Sequence, residues 1–442
     1  MLYSLTALPY IAEPAPLLAG LRELGNPVLL DSAATGEPFG RFSIMSAGPQ
    51  AVLTPAPGES GPETLQRLRD ALKDLGPAAW PDGIALPFGA GALGFISYDF
   101  ARHLEPLPAC AKTDVRLPAL QFGLYTWSLV TDHVLQRSWL VCHPGIDEAE
   151  RNKLYELVQG QRDFDSSFCL NGSFEPEQSR QEYQAAFERI QAYILAGDAY
   201  QINLAQRFRA RCSGDPLEAY RLLRNACPTP FSAYIEDVDF SLLCHSPERF
   251  LSVIGGKVET RPIKGTRARG ATCEQDMALA EDLQDCLKDR AENVMIVDLL
   301  RNDLGRTCAI GSVQVPELFK LESYPNVHHL VSSVTGELAH GRDALDLLAS
   351  AFPGGSITGA PKIRAMQIIE ELEPVRRSMY CGSLGYIGCE GQMDLNIAIR
   401  TLVHQDDNLY LWGGGGIVAD SESESEYQET LTKVRVLMEA LE

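Results

Sequence analysis

No apolar run in this 442-residue chain approaches the roughly 18 residues that a membrane-spanning helix needs, so a membrane protein is not expected. The first residues, Met1-Leu2-Tyr3-Ser4, lack the basic, apolar and small-residue order of a secretory signal, which makes the cytoplasm the expected location. Basic residues are few. With 38 Lys and Arg against 59 Asp and Glu, the formal net charge is −21, and such a chain repels nucleic acid instead of offering it a basic face. A small anion still suits it, held by a local cationic pocket or by a metal on carboxylates. The eleven cysteines form no C-x-x-C pair, and His328-His329 has no cysteine nearby, which argues against structural zinc. Cysteines in apolar strings such as Leu242-Leu243-Cys244 read as reduced core thiols. Internal repeats and low-complexity tracts are absent.

What is present is ample apolar material, 45% of residues, enough for at least one large core. Residues 1–165 alternate short apolar runs (Val28-Leu29-Leu30, Leu120 to Tyr125, Ser138 to Val141) with Pro/Gly turns and read as a sheet-rich region with helices at Glu63–Leu75 and Glu148–Gln159. A polar stretch, 160–180, holding Asp163 and Asp165, leads into a second region, 178–442, whose first helix opens at Ser179-Arg180-Gln181-Glu182. Further on, 273–304 reads as one long helix. The runs 241–254, 258–261, 383–387, 397–403 and 409–412 read as strands, and Glu424–Glu442 as a terminal helix.

Four groups of residues carry chemistry. Lys264 stands among Arg261, Arg267 and Arg269, and like-charge crowding with partial burial lowers a lysine pKa toward a neutral, nucleophilic amine; a solvated turn lysine is the ordinary alternative. Asp289 and Glu292 on the long helix, and Glu426 and Glu429 on the terminal helix, are i,i+3 pairs. Two such faces suit Mg²⁺, although solvated acidic faces read the same way. Gly413 to Gly416 read as a glycine loop whose bare N–H groups, with Arg400, suit a carboxylate, or as a plain flexible turn. The hydroxyls of Ser356 and Thr358, ahead of a helix starting near Pro361, suit an anion or a cap. Alone, these residues support a mixed α/β protein with a metal site and an anion site.

In order along the chain, Pro262-Ile263-Lys264-Gly265-Thr266, Ala291-Glu292-Asn293, Asp298 to Arg306, Gly359-Ala360-Pro361-Lys362 and Gly416 to Ser421 before Glu426-Tyr427-Gln428-Glu429 resemble the chorismate-utilising enzymes. That family includes aminodeoxychorismate and anthranilate synthase components I and isochorismate and salicylate synthases. The resemblance is strong over 180–442. It implies an α+β fold of two stacked, mostly antiparallel sheets flanked by helices. It also implies Mg²⁺ on Glu292 and Glu429 with help from Asp289 and Glu426, although the family often has Glu at position 289. Substrate contacts are implied at Tyr380, Arg400, Gly414, Gly416 and Ser356, with His329 lining the pocket or simply buried. Members that add water to the ring carry a lysine base where this chain has Gln201, and an amide cannot deprotonate water. Lys264 resembles the lysine of members that aminate chorismate at C4, whereas anthranilate synthases, the alternative, typically have alanine there. Glu248 is the implied general acid. The family reading also implies a separate glutamine amidotransferase subunit as ammonia source. Ser32, Arg41, Phe42, Pro230 and Phe231 resemble more loosely a tryptophan pocket, which leaves a non-catalytic tryptophan-sensing subunit as the reading from another class.

Overall fold

The computed structural model describes residues 1–442 except 36–38, 161–163, 165 and 325–326, so Asp163 and Asp165 lie outside the described residues. Among the described residues, thirteen strands form one sheet and ten another. Strand pairing within both is antiparallel. The sheets stack across a shared core in which Ile235, Leu242 and Val403 from the larger meet Phe95, Phe122, Phe250 and Leu395 from the smaller. The period of two is visible along Phe231–Glu236: Ala233 and Ile235 enter this core, while Tyr234 enters a second one on the opposite face. That second core lies under the helices Pro216–Ala226 and Ser423–Glu439.

Both sequence regions build both sheets. Val28–Asp31 pairs with Phe231–Glu236 in the larger sheet, and Gly91–Ile96 pairs with Ser383–Gly388 in the smaller. The expected helix starts hold where a cap specifies them: Ser179 accepts from the Glu182 N–H while Glu182 returns a bond to Ser179, a capping box that opens Arg180–Leu195. The helix expected over 148–159 is Glu148–Gln159, capped by Asp147.

Several expected elements are interrupted, and the interruptions make the site. The stretch 241–254 is two strands in different sheets, Ser241–Ser246 in the larger and Arg249–Ile254 in the smaller, because Pro247 has no N–H for a ladder. The stretch 397–403 likewise spans the return between Met393–Asn396 and Thr401–Gln405, with Arg400 in the left-handed region at φ 51°. The long helix breaks at Cys286, which is extended (φ −64°, ψ 107°), into Cys273–Asp285 and Leu287–Gly305. Leu283 is buried on one side of the break and Leu287 is 80% exposed on the other, so no single apolar stripe runs through both halves. The cysteines are all free, but Cys110, Cys169 and Cys273 are exposed and do not belong to a core.

Candidate active site

The two crossings between sheets are stitched together. The Ile397 N–H donates to the Glu248 carbonyl at 3.0 Å, and Ser246 Oγ donates to the Ile397 carbonyl at 2.6 Å. Glu248 and Arg400 are thereby fixed at the seam between the sheets. Glu248 is 5% exposed, and burial pushes its carboxyl up to about 7 against the opposing pull of Lys264 and of a 3.1 Å hydrogen bond from Ser356 Oγ. A carboxyl that titrates near neutrality is suited to give and take a proton there.

Lys264 lies on the strand Ile263–Ala268 and donates from Nζ to the Ser356 carbonyl at 3.1 Å. Its pKa is lowered, yet not by the arginines beside it in sequence. Arg261 is neutralised by Glu317 and Glu322, Arg267 by Asp282 and Arg269 by Asp276. Removal from water lowers it, against the pull of Glu292 and Glu248. Ser356, in the turn Gly355–Ile357, therefore holds both groups, the acid through its hydroxyl and the amine through its carbonyl.

The acidic pairs face the same space from two helices. Burial raises the Glu292 carboxyl, with Lys264 and Lys288 opposing and Asp289 and Glu426 reinforcing. Burial also opposes charge on Glu429, but Lys433 at 2.6 Å holds its carboxyl below the ordinary range. Glu426 accepts from Ser421 Oγ at 2.6 Å and lies 3.4 Å from Lys288, and Asp289 lies 3.4 Å from Arg267. Among the described residues, no three carboxylate, imidazole or thiol side chains converge as a ready metal cluster. The chemistry of these side chains nevertheless fits a hard cation: all four offer carboxylate oxygen, and Asp289 Oδ2, 3.4 Å from the Arg267 guanidinium, is buried without a hydrogen bond. A Cβ at Gly415 would lie 3.1 Å from Glu426 Oε2 and 3.5 Å from Glu429 Oε1, so the glycine strand forms the floor beneath both acids.

That glycine run is strand, not loop. Asn408–Ile417 pairs with Gln201–Gly214 from Gly413↔Gln206 to Ile417↔Ile202, whereas its other edge loses its neighbour after Leu411↔Leu402. Lys433 Nζ donates to the Gly414 carbonyl at 2.9 Å, which shows Gly414 turned toward the open edge. Alternation along an antiparallel ladder turns Gly416 the same way, so the Gly414 and Gly416 N–H groups face the edge that has no strand partner. Close approach also requires glycine here: a Cβ at Gly414 would sit 2.6 Å from Tyr380 OH, and one at Gly416 2.0 Å from Gln201 Nε2. Tyr380 and Gln201 are buried, and Gln201 Oε1 has no hydrogen-bond partner.

Arg400 forms no hydrogen bond or ion pair among the described residues through its guanidinium, yet its charge is felt at His329. Burial, then Arg400, lower His329 to about 3, and its Nδ1 lies 2.9 Å from Thr266 Oγ1. It is a neutral ring. Lys433 was not singled out from sequence, although its i,i+4 spacing from Glu429 is a readable signal. Lys288 carries the same i,i+4 spacing from Glu292, but its closest acid, Glu426 at 3.4 Å, lies on another helix and is not legible in the sequence.

The residues of the looser resemblance also meet. Ser32 Oγ donates to the Phe42 carbonyl at 2.7 Å and lies 3.4 Å from that of Pro230, while Arg41 pairs with Asp132 and covers the Phe42 ring. Phe231 follows Pro230 and begins the strand paired with Val28–Asp31.

Comparison with known proteins finds relatives over almost the whole chain. The chain is 45% identical over 428 residues to aminodeoxychorismate synthase component 1 of Klebsiella aerogenes, covering 94% of this chain and 93% of that one. It is 36% identical over 456 residues to anthranilate synthase component 1 of Aquifex aeolicus, covering 97% and 92%. The crystal structure of anthranilate synthase component I from Streptococcus pneumoniae superposes with a TM-score of 0.80 at 33% identity, covering 90% of this chain and 92% of that one. The family model described as chorismate binding enzyme matches residues 25–439, and the chain belongs to the chorismate binding enzymes.

Proposed function

We propose that the protein aminates chorismate at C4 with ammonia, giving 4-amino-4-deoxychorismate, as the synthase component of a two-component enzyme. The observation that carries this is the Lys264–Ser356–Glu248 arrangement: a partly buried amine with a lowered pKa and a carboxyl titrating near neutrality, bonded to one serine. The relative quoted above at 45% identity, an aminodeoxychorismate synthase component 1, supports the same reading.

Glu248 donates its proton to the departing C4 hydroxyl, which leaves as water. Neutral Lys264 forms a bond to C2 as both conjugated ring double bonds shift toward C4 to expel that water, and the amine then sheds a proton. Ammonia next forms the C4–N bond while the Lys264–C2 bond breaks, both double bonds shifting back, the lysine nitrogen regaining a proton and the new ammonium free to lose one. Occupation of C2 by Lys264 keeps ammonia from that carbon. Gln201, an amide, cannot activate water there. Tyr380, Arg400 and the Gly414 and Gly416 N–H groups receive the substrate's carboxylates, and His329 lines the pocket as a neutral ring. Glu292 and Glu429, with Asp289 and Glu426, would hold Mg²⁺, which supplies positive charge for a substrate carboxylate and offsets the acids beside Lys264.

The word "component" in the relatives' names supports a partner, and a glutamine amidotransferase subunit suits it as ammonia source. The product then feeds p-aminobenzoate and folate synthesis in the cytoplasm. No helix among the described residues is long and apolar enough to cross a membrane. The Ser32, Arg41, Phe42, Pro230 and Phe231 cluster is proposed to hold tryptophan, which calorimetry with the free amino acid tests directly.

The deciding experiment incubates the protein with chorismate, Mg²⁺ and an ammonium salt and identifies the product by mass detection. Aminodeoxychorismate is expected. Anthranilate would move the assignment to C2 amination, and unreacted chorismate even with a glutaminase present would favour a non-catalytic sensing subunit.

A further inference from the structure

Arg377 is among the largest fully buried side chains in the protein, 1% exposed, and the mechanism above does not use it. Its bonds run to three separate elements of the site. Nε and Nη2 donate to the Glu373 carboxylate at 2.9 and 2.6 Å, Nη1 to the Ile357 carbonyl at 2.9 Å, and Nη2 also to the Asn203 carbonyl at 2.8 Å. Ile357 adjoins Ser356, and Asn203 lies two residues from Gln201 on the strand that pairs with the glycine run. Glu373 extends the clamp by accepting from the Ala205 N–H at 2.9 Å.

The third element is the Tyr380 turn. The guanidinium carbon lies 5.6 Å from the Tyr380 ring centre and 5.0 Å from that of Tyr98, and the Tyr380 N–H donates to the Arg377 carbonyl at 2.9 Å. Two residues of this turn, Ser378 (φ 51°) and Cys381 (φ 65°), hold left-handed backbone without being glycine. Such conformations persist only where the surroundings impose them. A planar guanidinium with five donors in a fixed fork can bind a carboxylate and two carbonyls in diverging directions at once, and an ammonium lacks that plane.

We propose that Arg377, with Glu373 as its counterion, is a positioning residue for the reaction: it sets the mutual placement of Ser356, Tyr380 and the Gln201 strand, and through Ser356 that of Glu248 and Lys264. The proposal rests on Ser356 and Tyr380 being substrate contacts, as assigned above. Arg377 itself touches no reacting atom.

The test compares the full-length parent with Arg377→Lys and with Arg377→Met/Glu373→Gln, a pair that removes both buried charges and retains an acceptor for the Ala205 N–H. Chorismate consumption is followed with Mg²⁺ and ammonium, alongside chorismate calorimetry and thermal unfolding. The double variant is expected to lose about 100-fold in kcat/KM, with KM raised and kcat lowered together, as ångström-scale misplacement does. Arg377→Lys should restore part of the loss. A merely structural arginine would lower the melting temperature and leave KM and kcat within threefold of the parent well below it, and that result overturns the proposal. Where the double variant does not fold, Arg377→Lys decides: unchanged kinetics and chorismate affinity overturn it, and a tenfold or larger loss supports it. The parent's product tests C4 amination separately, because the ratio of variant to parent does not depend on which carbon receives nitrogen.

Discussion

Glu248→Gln separates the catalytic cost of the buried carboxyl from its structural cost. In the folded protein the group titrates near 7 and in the unfolded chain near the ordinary 4.5. A raised carboxyl binds its proton more tightly when folded, so its contribution is fully favourable below pH 4.5 and is lost as pH rises through 7. At about 1.36 kcal/mol per pH unit, the parent carries a penalty of about 3 kcal/mol at pH 8.5 that the amide does not share. Glu248 is 5% exposed, so solvent screening does not reduce this figure appreciably. For a chain of 442 residues, unfolding entropy of about 2 cal/mol/K per residue converts the difference to a melting-temperature gain of about 3 °C. The gain should fall below about 1 kcal/mol at pH 5. The assay is unfolding of both proteins at pH 5 and 8.5, paired with turnover. Turnover should fall on the order of 10²–10⁴-fold because an amide cannot donate the proton. Equal stability differences at the two pH values, or parental turnover, would refute the assignment of a buried, proton-donating Glu248.

Lys264→Ala should bind chorismate with nearly parental affinity by calorimetry while forming the 4-amino product at least about 100-fold more slowly, any residual amine appearing at C2; 4-amino product at the parental rate would remove the nucleophile role. Gly414→Ala places a methyl 2.6 Å from Tyr380 OH and 2.9 Å from the Leu204 carbonyl, so KM for chorismate should rise about tenfold or more in steady-state assays, and an unchanged KM would contradict the carboxylate wall. Chelation by EDTA should abolish turnover reversibly, and Glu292→Gln should weaken Mg²⁺ binding on the order of 10–100-fold by titration calorimetry; parental affinity would move the metal elsewhere.

The sequence by itself determined the residue types and their order. Ser179 and Glu182 specify a helix start locally, and the alternation in 231–236 specifies a two-faced strand, because both signals lie within a few residues. The acid pairs are legible for the same reason, since i,i+3 spacing places both on one helical face. What only the tertiary structure decided was what surrounds each group. Lys264 looked acidified by three neighbouring arginines, but each arginine turns to an acid on another element, and burial against Ser356 remains as the cause. The glycine run looked like a loop until its pairing partner at 202–206 was in place. Glu248 and Arg400 looked like parts of continuous strands, whereas each lies where the chain passes from one sheet to the other. Arg377 offered only its i,i+4 spacing from Glu373, because its fork is otherwise read against carbonyls at positions 203 and 357. Short-range rules reach a few residues along the chain, and the desolvation and partner geometry that make a site arise between segments hundreds of residues apart.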